Sequence, residues 1–143
     1  MDLNFVKAKE LLVQGDFTCV VLKDDKIYTS KDRGVKPLLD WLEAKMNFEN
    51  AVVADKVVGK AAAFLYVLLG VKEIYAGVVS EPALRVMERY GIKITYGEQV
   101  KAIRNRDNTG FCPMEKSVWE IEDPNLAYET ILKTRQKLLS NKI

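Results

Sequence analysis

The chain contains no histidine. This absence excludes Ser-His-Asp and Cys-His catalysis, and it excludes every zinc site that needs an imidazole ligand. Cysteine is also scarce, since Cys19 and Cys112 are the only two and stand in very different contexts. They argue against a disulfide framework and favour a reducing compartment, and they are too few for a thiolate-only zinc site. We therefore expect neither a metal centre nor a cofactor.

No sign of charge dominates the composition, and no apolar run is long. The 22 Lys and Arg residues are interspersed with 20 Asp and Glu residues, for a net charge of +2, whereas a dedicated nucleic-acid binder normally carries a basic stripe. The longest apolar run, Ala61–Val71, is too short to span a bilayer, and the start Met1–Asn4 lacks the pattern of a signal peptide. We expect a soluble cytoplasmic protein with a single domain over residues 1–143 that binds neither membrane nor nucleic acid.

Hydrophobic periodicity and turn residues divide the N-terminal part into four elements. They predict a helix over Asp2–Gln14, a hairpin of strands Thr18–Lys23 and Lys26–Ser30, and a helix over Pro37–Met46. The proline suits the first turn of that second helix.

Strands and helices then alternate. The predicted elements are strand Ala51–Ala54, helix Val57–Leu69, strand Glu73–Val79, helix Glu81–Tyr90 and strand Ile92–Tyr96, and Asp123-Pro124 opens a last amphipathic helix. Such alternation calls for parallel strands with right-handed crossovers. With the hairpin added, we predict a five-stranded mixed sheet in a three-layer α/β/α sandwich. Ligands in such sheets bind beyond the carboxyl ends of the parallel strands.

Several candidate ligand-binding residues follow the first two parallel strands: Asp55, Gly59, Lys60 and Ser80. Lys60 falls in the first turn of a helix, where the macrodipole disfavours a cation by about 0.3–1 kcal/mol. It either reaches solvent or pairs with Asp55, or it holds an anion together with the free helix N–H groups. Small Gly59 would let a ligand approach closely. Asp55 and Ser80 are natural N-caps. Each is also placed where it would face a ligand, and there Asp55 would act as a base.

The segment Arg104–Glu115 is predicted to be a polar loop that covers this site. Arg106, like Arg33 before the second helix, suits bidentate recognition of carboxylate or phosphate, or forms a structural ion pair with Asp107. Asn105 forms hydrogen bonds either with backbone groups of the loop or with the polar edge of a ligand.

Cys112 in the same segment has two interpretations. Free cysteines are mostly buried and inert, but nearby cations would favour a nucleophilic thiolate. In that case Lys60 or Glu115 would transfer protons. Glu115 is otherwise a salt-bridge partner for Arg106. Cys19 lies in a core-like strand and is expected to pack there.

The order of elements resembles the cytidine deaminase-like fold, in the branch whose last strand runs parallel. Deaminases of that fold carry a His/Cys-Ala-Glu motif at the helix after the hairpin and a Pro-Cys-x-x-Cys motif at the next helix start. Here those positions read Arg33–Pro37 and Lys56–Lys60, so the zinc ligands and the catalytic glutamate are missing. The resemblance therefore implies the fold and not zinc-dependent deamination.

A closer resemblance covers nearly the whole chain. It is to a family of bacterial and archaeal proteins known as a domain of unknown function, DUF1893. The landmarks that carry it are Arg33–Leu38, Asp55–Ala63, Ser80, Asn105-Arg106 and Cys112–Glu115. This resemblance implies the fold and gives no reaction.

The preferred hypothesis is a metal-free deaminase-like scaffold that binds a small anionic molecule, a nucleotide or a phosphorylated or carboxylated metabolite. One alternative is a metal-independent enzyme with Cys112 as nucleophile and Lys60 or Glu115 as its partner. Another is a structural or protein-interaction module without a ligand, in which the polar segment forms ionic ties or a homodimer contact.

Overall fold

Five strands form one mixed sheet in the order β2-β1-β3-β4-β5. The structure is a computed structural model that describes residues 3–32, 34–104, 110 and 112–140. The strands are β1 Cys19–Lys23, β2 Lys26–Ser30, β3 Val52–Val58, β4 Glu73–Ser80 and β5 Lys93–Val100. β1 pairs antiparallel with both β2 and β3, and β3, β4 and β5 run parallel. The predicted hairpin and the predicted parallel run are both confirmed.

Helices cover both faces of the sheet, as predicted. They are α1 Leu3–Gln14, α2 Lys36–Glu43, α3 Lys60–Leu69, α4 Glu81–Arg89, α5 Pro113–Ser117 and α6 Pro124–Ser140. α1 packs on one face, where Ala8 and Leu12 meet the side chains of β1 and β3. The larger core lies on the other face, beneath α2, α3, α4 and α6. Phe64 and Tyr66 are fully buried there.

The junction between β3 and α3 differs from the prediction. β3 continues past Ala54 to Val58, because Val57 and Val58 extend the parallel ladder opposite Val78 and Val79 of β4. α3 therefore begins at Lys60 rather than at Val57. β-branched valines suit a strand as well as a helix, and only the pairing with β4 decides between the two.

Two further boundaries differ from the prediction. β5 extends past Tyr96 to Val100 because its last residues pair with the end of β4. The polar segment before α6 contains a short helix, α5, that begins at Pro113, where its fixed backbone angle suits the first helical position. Among the helices of the described part, none combines the length and the apolar composition that crossing a membrane requires.

Candidate functional site

Glu115 of α5 links the carboxyl ends of the parallel strands. Its side chain is almost completely buried, at 1% exposure. Oε1 accepts hydrogen bonds from the backbone N–H of Lys60 at 2.5 Å and from the hydroxyl of Ser80 at 3.1 Å. Oε2 accepts from the backbone N–H of Ile103 at 2.5 Å. The carboxylate thus supplies the negative charge that the positive end of the α3 macrodipole favours, at the position where we expected a ligand.

Gly59 makes this arrangement of Glu115 sterically acceptable. It is the N-cap of α3 and has an extended backbone. A Cβ atom at this position would lie 2.9 Å from Cγ1 of Ile103, and 3.1 and 3.2 Å from the two carboxylate oxygens of Glu115. The small residue thus admits a side chain of the protein itself.

Ser80 ends β4 and is the N-cap of α4, one of the two roles considered for it. Its hydroxyl oxygen accepts a hydrogen bond from the backbone N–H of Ala83 at 3.2 Å. Since the same hydroxyl donates to Glu115, the start of α4 is tied to the start of α3 through one carboxylate.

The Lys60 side chain pairs with Glu122 and not with Asp55, so that one of the interpretations left open for it is wrong. Its Nζ donates to the carbonyl oxygen of Trp119 at 2.8 Å and to Oε1 of Glu122 at 3.3 Å. The side chain is only 5% exposed, so its charge faces into the protein rather than into bulk solvent. It therefore adds a fixed positive charge beside the loop between α5 and α6.

This charge borders a groove of about 290 Å³ that we call the cationic groove. It is lined by Lys60, Pro82, Arg85, Val86, Arg89, Trp119 and Glu122. Pro82, Arg85, Val86 and Arg89 have the spacing i, i+3, i+4, i+7, so they form one stripe along α4. Glu122 is 64% exposed and contacts two of the cations, since Oε2 lies 3.4 Å from Arg89 Nη1. Among the described residues, three cationic side chains thus share the groove with a single carboxylate.

Asp55 occupies a different position from the one predicted. It lies within β3, so it is not the N-cap of α3. Its side chain is 7% exposed, and Oδ2 accepts a hydrogen bond from the hydroxyl of Tyr66 at 2.6 Å. The Sγ atom of Cys19 lies 3.2 Å from that hydroxyl. Burial raises the pKa of the Asp55 carboxyl to about 7, although the hydrogen bond from Tyr66 opposes the shift.

Cys19 is packed in the core as expected, and burial raises the pKa of its thiol well above the usual value. Cys112 is half-buried and free. It precedes α5, three residues before Glu115, and its backbone N–H donates to the carbonyl of Ile103 at 2.8 Å. Cys112 and Lys60 therefore lie on the same side of the sheet, both within the surroundings of Glu115.

The structure brings Gly59, Lys60, Ser80 and Glu115 together and places Asp55 apart from them, beneath α3. Three other candidates, Arg33, Asn105 and Arg106, lie outside the described residues, as does Asp107. Within the described ranges, no group of three or more His, Cys, Asp or Glu residues is arranged to hold a metal ion.

The sequence reasoning missed four residues of the cationic groove: Arg85, Arg89, Trp119 and Glu122. The two arginines carried a usable signal, because they are four residues apart on one helix that begins at the carboxyl edge of the sheet. Trp119 and Glu122 carried none, since their place beside α4 depends on the path of the chain between α5 and α6.

A family model for a domain of unknown function, DUF1893, matches residues 7–134. The chain belongs to the DUF1893 family. Among solved structures, this DUF1893 protein is similar to the DUF1893 family protein TM1506 from Thermotoga maritima. The two are 32% identical with a TM-score of 0.85, and the match covers 93% of this chain and 91% of that one. The family recognised from the landmarks in the sequence is thereby confirmed.

A weaker likeness links this DUF1893 protein to the dCMP deaminase of the cyanophage S-TIM5, solved in its apo form. That pair is 14% identical with a TM-score of 0.43, over 67% of this chain and 94% of the deaminase. No curated protein shows significant similarity to the chain.

Proposed function

We propose that this protein binds a small anionic metabolite, carrying a phosphate or a carboxylate, in the cationic groove. The observation that supports the proposal is the convergence of Lys60, Arg85 and Arg89 on one groove, to which the described residues contribute a single carboxylate, that of Glu122. Clefts lined by one sign of charge concentrate ligands of the opposite sign. The groove lies at the carboxyl edge of the sheet, since Lys60 follows β3 and α4 follows β4.

Arg85 is the cation that we expect to contact the ligand most directly. In the described part of the chain it forms no ion pair, unlike Arg89 and Lys60. A guanidinium presents several donors in a planar fork that matches carboxylate and phosphate oxygens. Arg85 therefore offers donors that the protein itself leaves available within the described residues.

Glu122 competes with the ligand for the other two cations. Its contacts with Lys60 and Arg89 are 3.3 and 3.4 Å long, and its side chain is largely exposed. An exposed ion pair is worth little, about 0–1 kcal/mol. This applies to the Arg89–Glu122 pair, whose side chains are 59% and 64% exposed, so an incoming anion displaces the Glu122 carboxylate from Arg89 at small cost. Lys60, at 5% exposure, keeps its hydrogen bond to the Trp119 carbonyl.

The test uses two substitutions with opposite expected effects. Binding of inorganic phosphate, pyrophosphate and citrate is measured by calorimetry and by thermal shift at low ionic strength, because salt screens surface charges. Arg85→Gln should weaken binding, and Glu122→Gln should strengthen it by removing the internal competitor. Arg135→Gln on α6 is the matched control, since Arg135 does not line the groove, and it should bind like the wild type.

A purely structural role predicts a different pattern. The ligand proposal is wrong if none of the three anions binds, or if Arg85→Gln and Glu122→Gln change affinity in the same direction. Unchanged stability of Arg85→Gln together with no binding would favour the alternative of a structural or protein-interaction module.

The enzymatic alternative rests on the part-exposed thiol of Cys112, one helical turn from Glu115. Its proposed partners already have hydrogen bonds within the protein, Lys60 to Trp119 and Glu115 to three donors. A nucleophilic Cys112 should be alkylated rapidly in the folded protein, while buried Cys19 reacts only on unfolding. Equal protection of both thiols in the native protein would rule out the nucleophile.

A further inference from the structure

Two guanidinium groups of the cationic groove come from one side of α4. Arg85 and Arg89 are four residues apart on this helix, so their Cβ atoms lie about 5–6 Å from each other. Both residues are exposed, and both line the groove. A single small anion can therefore accept hydrogen bonds from both side chains at once.

Lys60 already has a carboxylate partner beside the groove. Its Nζ donates to the backbone carbonyl of Trp119 and lies 3.3 Å from Oε1 of Glu122. The hydroxyl of Tyr90 donates to the backbone carbonyl of Glu122 at 3.3 Å, which holds the main chain of Glu122 next to the end of α4. A ligand that displaces Oε2 of Glu122 from Arg89 can therefore leave the contact between Oε1 and Lys60 in place. Among the described residues, the positive charge then left for the ligand is that of the two guanidinium groups.

A carboxylate and a phosphate monoester use two guanidinium groups differently. A carboxylate has two oxygens in one plane, and the fork of one arginine satisfies both. The three terminal oxygens of a phosphate monoester point in different directions and carry roughly two negative charges at neutral pH. They can accept from two arginines and balance both charges. A phosphodiester, as in a nucleic-acid backbone, carries only one.

We infer that the cationic groove selects the dianion of a phosphate monoester, bound by Arg85 and Arg89 together. This inference rests on the proposed function, which leaves the choice between a phosphate and a carboxylate open. The favoured ligands are then phosphorylated metabolites rather than monocarboxylates or phosphodiesters.

The experiment compares probes that differ by one charge. Methyl phosphate, dimethyl phosphate and acetate are titrated into the full chain by calorimetry at low ionic strength, because salt screens exposed charges. At pH 8, methyl phosphate should bind roughly tenfold more tightly than the other two, the factor that one more charge-assisted hydrogen bond implies.

The same titrations at pH 5 test the role of the second charge. The second pKa of a phosphate monoester is about 6, so methyl phosphate carries one charge at pH 5 and should lose its advantage over dimethyl phosphate. Sulfate is a dianion at both pH values. Its affinity is the reference that corrects for any titration of the protein itself.

Two substitutions test whether both arginines take part. Arg85→Gln and Arg89→Gln each leave one guanidinium group, so each should bring the affinities for methyl and dimethyl phosphate at pH 8 to within about threefold of each other. Arg135→Gln on α6 is the control and should keep the full preference, since Arg135 does not line the groove. Thermal unfolding checks that each variant is folded, and Arg85→Gln alone decides if Arg89→Gln is not.

The possible outcomes separate the two proposals. If dimethyl phosphate or acetate binds as tightly as methyl phosphate at pH 8, the inference is overturned while the proposed function stands. A full preference for methyl phosphate in Arg85→Gln also overturns it, because the dianion is then held by other groups. If none of the probes binds, the proposed function itself is wrong.

Discussion

The protonation state of the Asp55 carboxyl depends strongly on whether the chain is folded. The carboxyl is buried in β3, and its pKa rises from 3.8 to about 7 because burial disfavours the charged form. The folded protein therefore holds the proton more tightly than the unfolded chain does. The contribution of this group to stability is full below pH 3.8 and is lost as the pH rises through about 7.

The difference between these two pKa values corresponds to a loss on the order of 4 kcal/mol in the free energy of unfolding. Urea denaturation of the wild type between pH 5 and pH 8 should show most of this loss in the free energy of unfolding. Asp55→Asn cannot ionise and should remove this pH dependence, whereas Asp25→Asn at the exposed hairpin turn should keep it. An unchanged pH profile in Asp55→Asn would contradict the assignment.

Gly59 is constrained by what surrounds it rather than by its backbone angles. Gly59→Ala would place a methyl group against Ile103 and the Glu115 carboxylate, at distances of 2.9 to 3.2 Å. We expect a loss of about 1–3 kcal/mol in the free energy of unfolding, typical of overpacking. Gly110→Ala is the control, since a Cβ there meets nothing within 4 Å. Equal stability of the two variants would mean that Glu115 is not held as described.

At the scale of whole elements, one carboxylate connects the starts of α3 and α4. Ser80→Ala removes the cap of α4 and one donor to Glu115, and Glu115→Gln removes the charge that faces α3. We expect each substitution to lower the free energy of unfolding by about 2 kcal/mol.

These two effects should not add. Because both substitutions break the same hydrogen bond, the double variant should lose less than the sum of the single variants, by at least about 0.5 kcal/mol in a double-mutant cycle. Thr130→Ala on α6 is the matched control, since among the described residues its hydroxyl bonds only within its own helix, to the carbonyl of Leu126. Additive losses for Ser80 and Glu115 would mean that the two helix starts are independent.

Over the whole molecule, stability should be distributed unevenly across the sheet. β3 and β4 have strand partners on both sides, whereas β2 and β5 are the two edges. The side chains of β5 are mostly exposed. We therefore expect amide hydrogen exchange to be slowest over Val52–Val58 and Glu73–Ser80, and faster on the outward amides of the edge strands.

The same measurement tests whether two chains pair through the β5 edge, a different contact from the polar-segment homodimer that the sequence left as an alternative. Exchange is recorded at two protein concentrations a hundredfold apart, with β3 as the internal reference. Protection of Lys93–Val100 that rises with concentration would indicate pairing through this edge. Concentration-independent exchange would argue against a dimer at β5.

The sequence was a good guide wherever structure depends on neighbours along the chain. The hairpin, the alternation of strands and helices, and the cap at Ser80 all follow from periodicity and turn chemistry. The predicted end of the strand before Asp55 was wrong, because the valines before Gly59 fit a strand as well as a helix. The pairing with β4 extended the strand past Asp55. Lys60, Ser80 and Glu115 were recognised individually, but not the hydrogen bonds that connect Glu115 to the other two.

Local patterns in the chain were therefore enough to establish the family, the order of the elements and the edge of the sheet where polar residues gather. Only the folded structure determined which groups these charged residues contact. A buried carboxylate must find donors among whatever surrounds it, and Glu115 found them at the start of α3, 55 positions away in sequence. The same folding placed Arg85, Arg89 and Trp119 around one groove, and that arrangement depends on distances in space that spacing along the sequence does not record.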